Sequence, residues 1–298
     1  MGINDARSQS GVRNCKPRKL RFSLYLDFYM QHREFQVSEQ LRNVIACFWH
    51  ITKGRPHHPA SFEVQPDGYA EIIFYFGNTC SILQNGKLLN LPSPFIVGLL
   101  EKPAVFYIPG QVEIIGIRCY PWTVFDLLGL PVQKTEIQRF EHPIAHLQPV
   151  LNTFVKAGQL DQAVDKLQHY FLQSNQANPD VLVSRAGNVM RRENGSIPVS
   201  ELAASAHATL RTLERKFKRS AGHTIKNVSA LIRFEQVRNA LWNNPGVNLA
   251  SLAHELGYTD QAHLSREFKR YSGSSPRAFA KTAVDNRGKL DFVAFIQA

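Results

Sequence analysis

The sequence has no apolar run long enough to cross a bilayer; its best candidate, Ile72 to Phe76, is the size of a strand. Nor does an apolar segment follow the basic residues of the N-terminus, Arg7, Arg13, Lys16, Arg18, Lys19 and Arg21, as a secretory signal would require. No membrane partner is expected, and a cytoplasmic location is. Cysteine is scarce: Cys15, Cys47, Cys80 and Cys119 stand at least 32 residues apart, with no CxxC pair or zinc-finger spacing. They read as free buried thiols rather than disulfides or metal ligands. A Gly-rich phosphate loop, a Gly-x-Ser-x-Gly elbow and a Cys/His nucleophile pairing are all missing, so no cofactor and no enzymatic activity are expected. His57 and His58 are adjacent in an extended segment and point to opposite faces, which argues against a metal site there. Asp67 and Glu71 are four apart, but Asp67 sits in a turn signal and Glu71 opens a strand. Asp67 reads as a structural turn residue rather than half of an acid/base pair.

What the chain does have is positive charge, unevenly placed. Of the net +11, Met1 to Phe22 carries +5 and Arg191 to Lys281 carries +8, leaving −2 for everything else. A basic block on a near-neutral body points to a polyanionic partner held by one end of the molecule.

The 298 residues suffice for two domains, each with its own core. An α+β chain is expected. Residues 1–21 form a basic tail. Residues 22–130 read as a β-rich, barrel-like or sandwich domain: FEVQPDGYAEIIFYFG, SILQNGKLLNL and AVFYIPGQVEIIGIRCY place Ile-, Val- and aromatic-rich runs between turn signals. Gln84-Asn85-Gly86-Lys87 offers the Asn-Gly pair of a two-residue hairpin. Residues 131–179 read as a helical linker with two amphipathic stretches around Leu147–Val155 and Leu160–Phe171, separated at Gly158. Their apolar stripe, wider than one domain needs, is expected to supply a dimer contact. Residues 180–283 are helical and basic, and residues 284–298 form a tail.

Within 180–283 the chain repeats itself. TLERKFKRSAG, from Thr212, returns 51 residues later as HLSREFKRYSG, from His263, with Leu, Arg, Phe, Lys, Arg and Gly in the same places. In each copy the apolar pair, Leu213 with Phe217 and Leu264 with Phe268, is four apart and shares one helix face, which turns the basic residues outward. Each copy is preceded by a matched short helix, SELAAS and ASLAHE, and a turn. Each unit is a helix-turn-helix, and Thr224 to Trp242 forms a helix of about 28 Å between them. One turn of B-DNA is about 34 Å, so the two units fit successive major-groove segments on one face of a duplex.

The stretches VSELAAS, TLRTLERKFKRSAG, RFEQVRNAL and LASLAHELGYTDQAHLSREFKRYSGSSPRAF resemble the paired helix-turn-helix domain of the AraC/XylS family of bacterial transcription regulators. The resemblance implies sequence-specific binding to a double-stranded DNA operator, with RNA polymerase as a further partner and control through the N-terminal domain. It carries base reading onto Arg211, Glu214 and Arg215 in the first unit and onto Gln261, His263 and Arg266 in the second. Arg pairs in bidentate fashion with guanine, Gln with adenine, and Glu accepts from cytosine. Lys218, Arg219, Lys269 and Arg270 fall where phosphate contacts are made. The first unit has His207 where the family has a turn glycine, whereas Gly257 is present in the second; a strained first turn is expected. More thinly, PDGYAEIIFYFG and GIRCYPWTVFDLLGLP resemble the N-terminal domain of a subset of these regulators whose ligand is undefined, with Trp49, Pro66-Asp67-Gly68 and Gly116-Ile117-Arg118 as matching points. A small-molecule effector and a homodimer are implied, with Trp49, Tyr75 and Trp122 as candidate pocket residues. Two other classes compete: a DNA-alkylation repair enzyme built on the same reader, which needs a zinc-bound thiolate set, and a DNA-binding protein whose N-terminal half serves assembly alone.

Overall fold

The computed structural model describes residues 32–53, 59–84, 86–133, 135–174, 180–286 and 292–293. The basic tail, Cys15 and the His57-His58 pair lie outside them. The N-terminal half runs through β1 (His32–Phe35), β2 (Ile45–Lys53), β3 (Ala60–Val64), β4 (Ala70–Gly77), β5 (Ser81–Gln84), β6 (Lys87–Asn90), β7 (Phe95–Val97), β8 (Ala104–Ile108) and β9 (Val112–Cys119). A short helix α1 (Val124–Leu128) and a two-residue strand β10 (Ile137–Gln138) follow, then α2 (Gln148–Lys156) and α3 (Leu160–Gln173). Six strands form one sheet in the order β1-β2-β9-β4-β7-β10, and a second sheet runs β3-β8-β5-β6, all pairs antiparallel. At Phe292–Val293 the C-terminal segment adds β11 in parallel to the β3 edge. The two sheets stack without closing. In the β5–β6 hairpin Gln84 pairs with Lys87, and Gly86 has φ +75°, the positive angle that a two-residue turn demands.

Alternation along β4 sets the layers. Ile72, Phe74 and Phe76 enter one core with Phe48, Ile115 and Ile117, while Ile73 and Tyr75 face a second with Trp49, Phe62, Phe95 and Phe106. The first core is closed by Leu151 and Val155 of α2 and Ala163, Val164, Leu167 and Phe171 of α3. These residues of the stripe face inward: β4 and β9 leave an apolar face uncovered, and the two helices cover it within the chain. Gly158, at φ +69°, separates the two helices as its position implied.

Among the described residues the C-terminal half has seven helices: α4 (Val181–Arg192), α5 (Val199–Ser205), α6 (Leu210–Ala221), α7 (Ile225–Asn243), α8 (Leu249–Glu255), α9 (Gln261–Ser272) and α10 (Pro276–Asn286). The Asp180 carboxylate caps α4 by accepting from the Leu182 and Val183 amides at 3.0 and 3.3 Å. Helix α7 is buried on nearly every side, with Phe234, Val237 and Leu241 but also Glu235 and Arg238 inside. Phe234 stands 5.1 Å from Phe268 and 5.3 Å from Tyr271, ring centre to ring centre, which fixes α9 against it. The core of this half takes in Leu99 and Trp122 from the other, so the two halves meet in shared apolar packing rather than through separate cores. Trp122 stacks on Tyr120 at 5.4 Å and touches Phe217 of α6 at 5.6 Å.

Candidate nucleic-acid interface

Each helix-turn-helix unit is built as its sequence dictates. In the first, Leu213 and Phe217 are fully buried beneath α6, which leaves Arg211, Arg215, Lys218 and Arg219 exposed and Glu214 half-buried. Thr209 caps α6 by accepting from the Thr212 amide at 3.2 Å. In the second, Leu264 and Phe268 play the same part, and Gln261, Arg266, Lys269 and Arg270 are exposed. Asp260 caps α9 through the His263 amide at 2.6 Å, and the half-buried His263 ring meets Tyr258 edge-on at 5.3 Å. His263 is therefore more confined than the exposed side chains of its helix. Both turns use the left-handed region, at φ 52° for His207 and φ +71° for Gly257. The first turn keeps the geometry that glycine gives the second, at the steric cost of a side chain.

Among the described residues no ion pair engages Arg211, Arg215 or Arg266. Glu267 pairs instead with Arg233 of α7 at 3.3 Å, and Lys216 with Asp180. These contacts orient the helices from behind and leave the outward arginines available to a polyanion.

The N-terminal half leans on this reader at two places. At the C-terminal end of α6, Arg219 lies near Asp126 of α1, whose carboxyl burial pushes up while Arg219 draws it back. Burial pushes the His223 imidazole down, opposed by nearby Glu101 and Glu136. The second place is a buried ionic cluster. Arg118 of β9 donates to Asp67 at 2.5 Å and to Glu71 at 3.1 Å, and lies 3.8 Å from Glu235 of α7. Arg191 of α4 donates to Glu235 at 3.2 Å and to the Gly68 carbonyl. Arg238 of α7 donates to the Pro66 carbonyl at 2.8 Å. The Tyr69 ring lies between Arg118 and Arg191, 4.0 and 3.5 Å from their guanidinium carbons. Glu235 is 0% and Arg118 and Arg238 each 1% exposed. Charges so far from water persist only when paired, and here Arg118, Asp67 and Glu71 of one half meet Glu235, Arg191 and Arg238 of the other. At Gly68 a Cβ would fall 2.7 Å from Arg191 and from Ile232, so the 66–68 turn fits against the reader only with glycine there.

Between the two sheets lies a narrow cavity of about 40 Å³, lined by Trp49, Ile51, Lys53, Phe62, Tyr75 and Glu71 among others. Burial pushes the Glu71 carboxyl up to about 7 against the pull of Arg118, and the Trp49 side chain hydrogen-bonds to it. Among the described residues no group of three or more His, Cys, Asp or Glu side chains is disposed to hold a metal ion.

Two family models match the chain: a helix-turn-helix domain over residues 202–282 and a domain of unknown function over residues 33–141. The first of these spans both helix-turn-helix units, the segment whose sequence resembles the AraC/XylS family. The Msm operon regulatory protein of Streptococcus mutans is 23% identical over 141 residues, which is 46% of this chain and 50% of that protein. The chain thus aligns with about half the length of that curated relative. Among solved structures, ToxT from Vibrio cholerae superposes with a TM-score of 0.41 at 10% identity, over 78% of this chain and 98% of ToxT. The C-terminal domain of AraT from Geobacillus stearothermophilus gives 0.33 at 20% identity, over 40% and 93%.

The ten side chains singled out for DNA lie on α6 and α9 as the repeat required, eight of them exposed and Glu214 and His263 half-buried. Trp49 and Tyr75 both line the cavity. Trp122 does not: it is 1% exposed in the join between the halves, against Phe217. The cluster around Arg118 escaped the reading from sequence. Its trace was there, as an arginine inside the apolar run Ile114 to Cys119 and as Glu235 and Arg238 among the mostly apolar buried positions of α7.

Proposed function

We propose that the protein is a sequence-specific DNA-binding transcriptional regulator whose paired reading helices enter adjacent major-groove segments under the control of a small effector in the N-terminal half. The observation that carries this reading is the duplicated unit: two capped, outward-basic helices, α6 and α9, on a shared buried rod, α7. Arg211, Glu214, Arg215, Gln261, His263 and Arg266 take the base edges, and Lys218, Arg219, Lys269 and Arg270 take phosphates. The narrow cavity between the sheets, with Trp49 and Tyr75 in its wall, is where the sheets would part to admit a small, largely apolar effector. The relative from Streptococcus mutans, an operon regulatory protein by name, supports the same class. A homodimer, a cytoplasmic site of action and RNA polymerase as partner complete the proposal.

Selection of sites from random duplex DNA by the full-length protein tests it, followed by titration of the winner and a scrambled duplex at two salt concentrations. Two enriched blocks about one helical turn apart, bound about 10³-fold or more tighter than scrambled DNA, are expected. Absence of an enriched motif, with affinity that collapses as salt rises, would defeat the reading. The repair-enzyme alternative is disfavoured by the thiols. Burial pushes Cys47 and Cys80 up to about 12 and Cys119 well above its ordinary range, which makes them poor nucleophiles at neutral pH.

A further inference from the structure

The cavity and the ionic cluster share one residue. Glu71 forms part of the cavity wall, and the same carboxylate accepts from Arg118 at 3.1 Å. A smaller crevice lined by Gln65, Asp67, Tyr69 and Glu71 continues from the cavity toward the turn that touches the reader. Within it the Gln65 side-chain oxygen is buried with no hydrogen-bond partner among the described residues. Beyond Arg118 the contact chain passes into the DNA-binding half, to Glu235 of α7 and from it to Arg191 of α4, while Arg238 of α7 reaches back to the Pro66 carbonyl.

We propose that the cluster around Arg118 is a latch through which the occupant of the cavity governs the reader. A molecule that engages Glu71 draws it from Arg118 and loosens the grip of the 66–68 turn on α4 and α7. The inference rests on the regulator reading and deepens it. At about 40 Å³ the cavity admits only a very small occupant unless the sheets part; its walls call for a largely apolar molecule with a hydrogen-bond donor for the acceptors Glu71 and Gln65, and Lys53 completes the polar lining. The closed latch is the weak-binding state. Docking packs α1, which carries Asp126, against α6 and brings Val132 up to Gly222 at its end, so an acidic and an apolar group crowd the end of α6 that a phosphate backbone must approach. Opening the latch removes them.

Affinity for the selected site is to be measured with full-length wild type, Glu71→Gln, Arg191→Met and the double variant. Glu71 pairs on the cavity side and Arg191 on the reader side, so a shared latch makes their effects overlap. Each single change is expected to raise affinity about 5-fold or more, with the double variant little beyond either. Unchanged or lowered affinity, or a double variant equal to the product of the two, overturns the proposal. Gly68→Ala provides a variant that alters no charge, since its methyl group meets Arg191 and Ile232; it is expected to act in the same direction. Thermal unfolding gives an independent readout. Wild type is expected to melt in one transition and the variants in two, one for each half. If wild type selects no DNA sequence, the regulator reading fails on its own, and the latch is then decided by unfolding: a single transition in every variant overturns it.

Discussion

The two helix-turn-helix units carry the same phrase in unequal surroundings. Helix α9 is backed by α7, α8 and α10, all from the reader itself. Helix α6 is backed by α4, α5 and α7 but also meets α1, and beneath it Phe217 touches Trp122 of the N-terminal half. Gly222 at its end lies close to Val132. Identical apolar anchors thus serve two ends, since in one unit they complete the reader's core and in the other they also join the reader to its neighbour. Whatever the N-terminal half communicates reaches the first unit directly, and reaches the second through α7.

The strongest way to break this comparison is at the anchors. Phe217→Ala and Phe268→Ala should each cost about 3–5 kcal/mol of stability, measured by denaturant unfolding, because both rings are fully packed. Phe268→Ala should lower a single melting transition, whereas Phe217→Ala should also split it into two by removing the contact with Trp122; equal behaviour of the two would erase the asymmetry. A pH effect comes next. The Glu71 carboxyl, ordinarily near 4.5, is raised to about 7 by burial. Below about 4.5 it is protonated in the folded and unfolded chains alike; as pH rises toward 7 the unfolded chain ionises first, so folding stability falls across that window and levels off above it. Melting temperatures of Glu71→Gln should lack that decline.

Direct reading sharpens the comparison further. Arg215→Ala and Arg266→Ala should each weaken specific binding by about 1–3 kcal/mol and relax preference at one base pair. Lys269→Ala should weaken specific and random DNA alike and lower the salt slope by about 1. Titration against single-base variants of the selected site separates the two classes. The smallest effect belongs to the turns. His207→Gly should add up to about 1 kcal/mol of stability by relieving a side chain at positive φ, while Gly257→Ala should lose about that amount or more. At Gly257 a Cβ would also come within 3.0 Å of the Ser196 side chain.

What was legible in the sequence follows from periodicity. Leu213 with Phe217 and Leu264 with Phe268 announce buried faces because a helix repeats every 3.6 residues, and that one fact fixes which arginines point outward. The β5–β6 hairpin and the break at Gly158 were readable from turn chemistry. The join between the halves was not, because its partners lie far apart in the chain: Arg118 meets Glu235 and Pro66 meets Arg238 across more than a hundred residues. No local pattern encodes such pairs. Trp122 illustrates the same limit. An aromatic residue just past a strand is equally apt for a ligand pocket or a join, and only the placement of Phe217 decides between them.

Helix α7 has one more consequence. A rod enclosed by its own protein on nearly every side cannot bend to suit a target, so the separation and relative rotation of α6 and α9 behave as a fixed gauge. Each base pair added between the two halves of a target displaces one of them by about 3.4 Å and turns it by about 35° around the duplex axis. On the proposed reading, the number of letters between the two contact blocks should be as constant among this protein's targets as the letters themselves, and insertions or deletions there should be the rarest form of drift.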